Sequence, residues 1–252
     1  MDQQTKAALK QDHFVTTTAQ GLEWTSANRK SVVVTASLIL GLIVLAVATG
    51  AYVHHRAEQA SAAFGQAMQV YTAPVVTANQ QPVPGVKTYE SVQARAAAAY
   101  QLFAADADKY GMTKDGKNAR YFAGITAMEQ GQTQTAEGLL KQVGSGWDKD
   151  LAAVANLALA DLYRQSGRDP QAIDLYNKLA DKPTRTVPAA TAQIALAELY
   201  TAEGKTDAAR KIYAQLKDKD KDAKGAPGIA STIAAQKLNP TPAAGGPPQL
   251  QQ

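Results

Sequence analysis

The stretch LADLYRQSGRDPQAIDLYNKL at 159–179 returns 37 residues later as LAELYTAEGKTDAARKIYAQL at 196–216. Leu-Ala, Leu-Tyr, Gly, Ala, Tyr and Leu recur in the same order. Repetition at such a period constrains the fold more than composition does, because each copy is a supersecondary unit that cannot bury its apolar face alone. Alignment on the turn glycines adds a third copy, with Gly131, Gly167 and Gly204 at intervals of 36 and 37 residues. A small residue stands seven positions before each glycine (Gly124, Ala160, Ala197), and an alanine five after it (Ala136, Ala172, Ala209). A larger apolar residue stands nine after it (Leu140, Tyr176, Tyr213), and four before it come Ala127, Tyr163 and Tyr200.

Two helices per copy explain these positions. The small residues let paired helices approach closely, the glycine permits the turn between them, and the large residues fill the space between copies. This is the tetratricopeptide pattern, with a nominal period of about 34 residues. The extra residues fall in connections such as DKPTRTVPA at 181–189, where insertions cost least. Ile229, Ile233 and Leu238 suggest a final short helix that caps the last copy. The predicted fold is therefore all-α, a single transmembrane helix followed by a tetratricopeptide-like solenoid with a C-terminal capping helix. Aromatic residues make up only 6% of the chain and alanine dominates the apolar set, a composition that favours helix.

The transmembrane part rests on VVVTASLILGLIVLAVATGAYV at 32–53, 22 residues without a charge. As a helix it would run roughly 33 Å, the thickness of a bilayer's hydrocarbon core. Trp24 precedes it and Tyr52 ends it, where interfacial aromatics are expected. A cleaved signal peptide is the alternative, with Ala46-Val47-Ala48 as its cleavage site. The long leader and the length of the apolar run argue against that alternative. Arg29 and Lys30 at the near end, with Lys6 and Lys10 behind them, outweigh His54, His55 and Arg56 at the far end. That bias predicts a cytoplasmic N-terminus and the bulk of the chain outside, which is the periplasm if the source is a diderm bacterium.

The expected layout begins with a leader at 1–31, where Phe14, Thr18, Leu22 and Trp24 suggest a loose interfacial helix, and the anchor at 32–53. Residues 54–110 read as a split first repeat. In it a helix carries Ala57, Ala60, Phe64, Ala67 and Tyr71 on one face and ends before Pro74. A proline-rich loop at 72–88 follows. A second helix then spans Tyr89 to Tyr110, with Val92, Ala96, Tyr100, Phe103 and Ala107 on one side, and Gly111 closes it. About three helix pairs occupy 111–218, a linker and the capping helix 219–238, and a disordered Pro/Gly-rich tail 239–252.

Chemistry-bearing residues are sparse. The chain has no cysteine, and its histidines are His13, His54 and His55, all outside the repeats. A histidine-based triad or zinc site in the repeat region is excluded by inventory. The segment from Gly111 to Lys117 (GMTKDGK) has phosphate-loop spacing, but Asn118 stands where the magnesium-binding hydroxyl belongs, and a helix rather than a strand precedes it. An inter-helix turn is the better reading. Asp218, Asp220 and Asp222 begin like a calcium loop, but Ala223 and Ile229 occupy its glycine and glutamate positions. The net charge of +4 is spread along the chain without a basic, aromatic-interleaved block, so nucleic acid is not an expected partner. No catalytic residue, cofactor or metal site is expected, and enzyme is the unfavoured class.

Binding remains. In stacked helix pairs the first helices line a groove. The register places Tyr121, Ile125, Met128, Leu157, Asp161, Arg164, Ile194 and Glu198 towards it, a mixture suited to an extended or partly unfolded polypeptide. Leu157 and Ile194 read equally well as core between helices. Asp161 and Glu198 are equivalent residues one unit apart. The lysine and asparagine positions of a carboxylate clamp are absent.

The EWTSANRK flank at 23–30, the anchor at 32–53, and the YRQSG and YTAEG units together resemble the bacterial YfgM-like group of membrane-anchored tetratricopeptide proteins. The resemblance runs from about residue 12 to 238 and is one of layout; the proline-rich insertion at 72–88 and the tail depart from it. It implies a periplasmic domain, on a single-pass inner-membrane protein, that acts as an ancillary subunit beside the Sec translocon. The partners it implies are a membrane-anchored periplasmic chaperone and exported polypeptides. A scaffold for envelope assembly or cell division is the alternative.

Overall fold

A computed structural model of the chain describes residues 28–76, 85, 87–218 and 228–239. The expected leader helix, most of the proline-rich loop, the linker with its acidic run, and the tail beyond Asn239 lie outside these residues. The described chain is all-helical apart from one isolated parallel bridge between Val75 and Tyr89. It divides into two compact units, residues 1–56 and 57–252.

Helix α1 (Arg29–Tyr71) crosses that division. Its N-terminal part belongs to the first unit and is long and apolar enough to span a membrane, with a mean hydropathy of 2.7 in its most apolar window and none of that window buried. From Ala57 onwards it belongs to the second unit, where Ala60 and Ala67 are fully buried. Ala57 itself is exposed, so the apolar face begins one turn later than its spacing predicts.

Seven of the remaining helices form a continuous antiparallel series: α2 (Val92–Tyr110), α3 (Lys114–Glu129), α4 (Thr133–Gly144), α5 (Lys149–Gln165), α6 (Asp169–Asp181), α7 (Ala189–Ala202) and α8 (Thr206–Asp218). Helix α9 (Ile229–Leu238) follows. The three copies in the sequence are the pairs α3/α4, α5/α6 and α7/α8. Their turns are superimposable in hydrogen bonding. Gly131, Gly167 and Gly204 take φ of 73°, 69° and 75°. The N–H of the next residue reaches back five positions in each turn, Gln132 to Ala127, Arg168 to Tyr163 and Lys205 to Tyr200, at 2.8–2.9 Å. This is the Schellman closure, which needs a left-handed residue that glycine adopts without strain.

The packing positions behave as a set. Gly124, Ala160 and Ala197 are buried, and so are Ala136, Ala172, Ala209, Leu140, Tyr176 and Tyr213. A Cβ on Gly124 would sit 2.9 Å from the Leu140 side chain, so the first pair holds its helices more closely than an alanine would allow. One cluster of buried residues runs from α3 to α7, and smaller ones close each end.

At the front, Phe64 and Tyr71 of α1 meet Phe103 of α2 and Phe122 of α3, with ring centroids 5.2–6.1 Å apart. Helix α2 starts at Val92 rather than Tyr89, because Ser91 caps it by accepting the Ala94 N–H. Tyr89 instead pairs with the chain before the loop, its N–H donating to the Pro74 carbonyl. Val92 is exposed and does not join the core. Gly111 ends α2 with an ordinary right-handed φ of −57°, so its turn does not require glycine. The reason lies in packing: a Cβ there would stand 2.5 Å from the Ala107 carbonyl and 2.8 Å from the Arg120 guanidinium, and one on Gly116 would overlap the Tyr110 carbonyl. The glycines with phosphate-loop spacing thus serve the close junction of α2 and α3.

At the back, α9 packs through Ala234 and Ser231, with Leu238 partly buried. Ile229, expected on the inner face, points to solvent. The 182–188 connection is also more than a spacer. Val187 is fully buried in it, and Thr186 and Arg185 bond to the backbone and carboxylate of Asp150.

Candidate partner-binding face

The first helices α3, α5 and α7 carry the predicted residues at equivalent turns. Tyr121, Leu157 and Ile194 occupy one level, Ile125, Asp161 and Glu198 the next, and Met128 and Arg164 the third. All are half-buried except Arg164, which is exposed. They split by role. Leu157 packs against two core clusters and Ile194 against the C-terminal one, so these two support the helix pairs as much as they face outward. Tyr121, Ile125 and Met128 lean on the main cluster and leave an edge in solvent.

The acidic positions are engaged within the fold. Tyr176 of α6 donates its hydroxyl to Asp161 at 2.6 Å, across its own helix pair. Burial, followed by that bond, pushes the Tyr176 phenol well above its usual pKa. Arg164 lies 3.8 Å from the same carboxylate. Burial, and after it the charge of Asp161, raise the phenol pKa of Tyr121 in the preceding pair. Asp161 therefore ties the first and second helices of its own pair together through Tyr176.

In the last pair Glu198 takes the place of Asp161 and Tyr213 that of Tyr176. Here the ammonium of Lys237 in α9 donates to Glu198 at 3.0 Å. Arg164, Glu198, Thr201, Ala202, Tyr213 and Lys237 line an open pocket of about 370 Å³. The face is thus apolar at α3 and becomes polar and charged at α7/α9. Lys237 was not legible as part of it, since nothing in the sequence aligns the capping helix with the groove. The first pair has Leu140 and Ile125 where the others have a tyrosine and an acid, and that correlated swap is the signal that could have exposed the pairing.

A second polar cluster joins successive pairs. Glu137 of α4 accepts from Arg168 and Lys141, both at 2.7 Å, and from the Tyr163 hydroxyl at 3.1 Å. The bonds from Lys141 and then Arg168 hold its carboxyl down at about 2. Arg168 also lies 4.4 Å over the Tyr163 ring. At the front, Tyr71 donates to Glu129 at 2.9 Å, and burial with that bond moves its phenol up to about 12. No group of three or more potential metal ligands occurs among the described residues.

Comparison with known proteins gives one extensive match, to the family described as tetratricopeptide repeat-like domain, over residues 23–239. Two solved structures are similar in part, both of nearly identical TPR-like repeats of a putative kinesin light chain from Podosopora anserina, one a single-substitution variant. They are 19% and 17% identical, each covering 57% of this chain and 76% of its own, with TM-scores of 0.48. No curated protein matches.

Proposed function

Because this chain belongs to the tetratricopeptide repeat-like domain family, we propose that it is a membrane-anchored protein-interaction module that holds polypeptide on its first-helix face. The observation that carries this reading is the graded face itself. It runs from the partly exposed edges of Tyr121, Ile125 and Met128 to the charged pocket of Arg164, Glu198 and Lys237. An extended segment with apolar residues at one end and polar or charged ones at the other fits that gradient. The apolar stretch of α1 would hold this face beside a membrane and raise its effective concentration for chains emerging there.

The finer reading is an ancillary role at the Sec translocon, with the domain on the periplasmic side and exported polypeptides or a membrane-anchored chaperone as partners. It is supported by the layout of leader, anchor and repeats. A photo-crosslinking residue placed at Met128 or Arg164 of the full chain, activated in native membranes, tests it. Translocon components and exported chains are the expected adducts. A single folded envelope protein in their place would replace this role with that of a scaffold.

A further inference from the structure

The first-helix face does not end at α7. Ala234 of α9 packs into one cluster with Ala197 of α7 and with Ala209 and Tyr213 of α8, so α9 follows α8 as each first helix follows the pair before it. No second helix follows it among the described residues. Lys237, near its end, stands in the wall of the pocket that holds Arg164, Glu198 and Thr201. Two residues later the helix must stop, because Pro240 and Pro242 cannot donate to it and disfavour helical backbone in the residue before each of them. Asn239 already has φ of −126° and ψ of 76°, away from the helical region. Residues 240–252 are therefore tethered at the polar end of the face.

Their chemistry matches what the face offers. From Asn239 to Gln252 there is no charged side chain. The four charges at the polar end cancel in pairs, with Asp161 beside Arg164 and Glu198 bonded to Lys237. A charged ligand would have to break one of these pairs, whereas a neutral segment leaves both intact. The carbonyls of a proline-rich segment have no partners within it and accept from exposed donors. Arg164 and Lys237 are partly exposed and carry more N–H groups than their carboxylates use.

Order and length match as well. The segment opens with polar Asn239 and Thr241, and its apolar group of Pro247, Pro248 and Leu250 comes 8 to 11 residues after Asn239. The face runs in the same order, from the charged pocket to Tyr121, Ile125 and Met128 of α3, three first-helix steps from α9. At about 8–10 Å per step that is about 24–30 Å. An extended proline-rich chain, rising about 3.1 Å per residue, covers about 25–34 Å between Asn239 and its apolar group.

We propose that residues 240–252 are an internal ligand of the first-helix face, crossing Lys237 and Arg164 and seating Pro247, Pro248 and Leu250 on Met128, Ile125 and Tyr121. Proline-rich segments dock in aromatic-bearing grooves because their preset backbone lowers the ordering cost. Tethered at roughly millimolar effective concentration, the segment needs only weak contacts to stay bound. A partner polypeptide must displace it, so the face is self-occluded until a segment with stronger contacts arrives. That consequence, unlike the docking itself, rests on the reading of this face as a polypeptide site.

The chain has no cysteine, so introduced pairs report without background. The full chain in detergent, carrying Met128→Cys with Leu250→Cys, is treated with a short bismaleimide. Gln171→Cys with Leu250→Cys is the comparison, since Gln171 is exposed on the second helix α6. With each rate divided by the labelling rate of its helical cysteine, the Met128 pair should close within one chain at least about tenfold faster. Pro247→Asp with Pro248→Asp should remove that preference, and should raise the yield of partner adducts from a photo-crosslinking residue at Met128. Equal rates for the two pairs overturn the proposal and leave the partner-binding reading standing. Crosslinks that join two chains also overturn it, making the segment a ligand of a second copy. A Met128 preference with no partner adducts, with or without the aspartates, upholds the docking and overturns the partner-binding reading instead.

Discussion

Glycines in this chain are required for two different physical reasons, and substitution separates them. Gly167 has a positive φ and open space around its missing Cβ, so Gly167→Ala should cost only the left-handed backbone penalty, about 1–2 kcal/mol. Gly116 lies inside α3, where the obstacle is the Tyr110 carbonyl, so Gly116→Ala must push α2 and α3 apart and should cost more, about 3 kcal/mol or above. Thermal denaturation of the two variants ranks them, and equal losses would refute the distinction. Glu137 gives a pH-dependent case. Its folded pKa of about 2 lies below the 4.5 of a free glutamate, so its contribution to stability is complete above that pH. The contribution is lost as pH falls from about 4.5 towards 2, as the carboxylate that binds Lys141 and Arg168 is protonated. Glu137→Gln should lower stability at neutral pH by roughly 1–3 kcal/mol and flatten this acid limb in denaturant titrations.

At the scale of elements, the junction of α1 with α2 and α3 depends on aromatic packing. Phe103 is fully buried and touches the rings of Phe64, Tyr71 and Phe122. Phe103→Ala should cost about 3–5 kcal/mol. Hydrogen exchange should show the loss concentrated in residues 60–71 and α2, with α5 to α8 protected nearly as before, because units in a stacked array depend mainly on their neighbours. Uniform loss across the array would mean that the solenoid folds as one block. Most of these elements were legible in the sequence, because period and turn glycine are local signals. Two elements shifted: the Ser91 cap, itself a local signal, moved the start of α2, and tertiary packing of α9 through small residues freed Ile229.

For the whole molecule, the charge bias predicts that residues beyond the apolar stretch lie outside the cytoplasm. Ser61 is exposed in α1, and the chain has no native cysteine. Ser61→Cys should therefore react with a membrane-impermeant thiol reagent in intact spheroplasts, whereas protection until lysis would reverse the orientation. The eight residues proposed for the binding face belong to this same scale. Their shared turns followed from the repeat register. Their division into supports, engaged acids and exposed edges did not, because it depends on which second helix reaches across to them. Tyr176 meets Asp161, and Lys237 meets Glu198 from 39 residues away.

The sequence alone determined the number of registered helix pairs, their turns, the buried small-residue positions and the apolar length of α1. Each of these follows from local chain geometry or from a repeat that must bury its own face. Only the tertiary structure decided what the polar residues do. A carboxylate's partner is set by helices that are distant in sequence, so Asp161 and Glu198 became ties within the fold, Glu137 a joint between pairs, and Lys237 the wall of a pocket. It also decided which apolar residues remain outside. Met112, Trp147 and Ile229 are almost wholly exposed, although Ile229 was expected on the inner face of the capping helix.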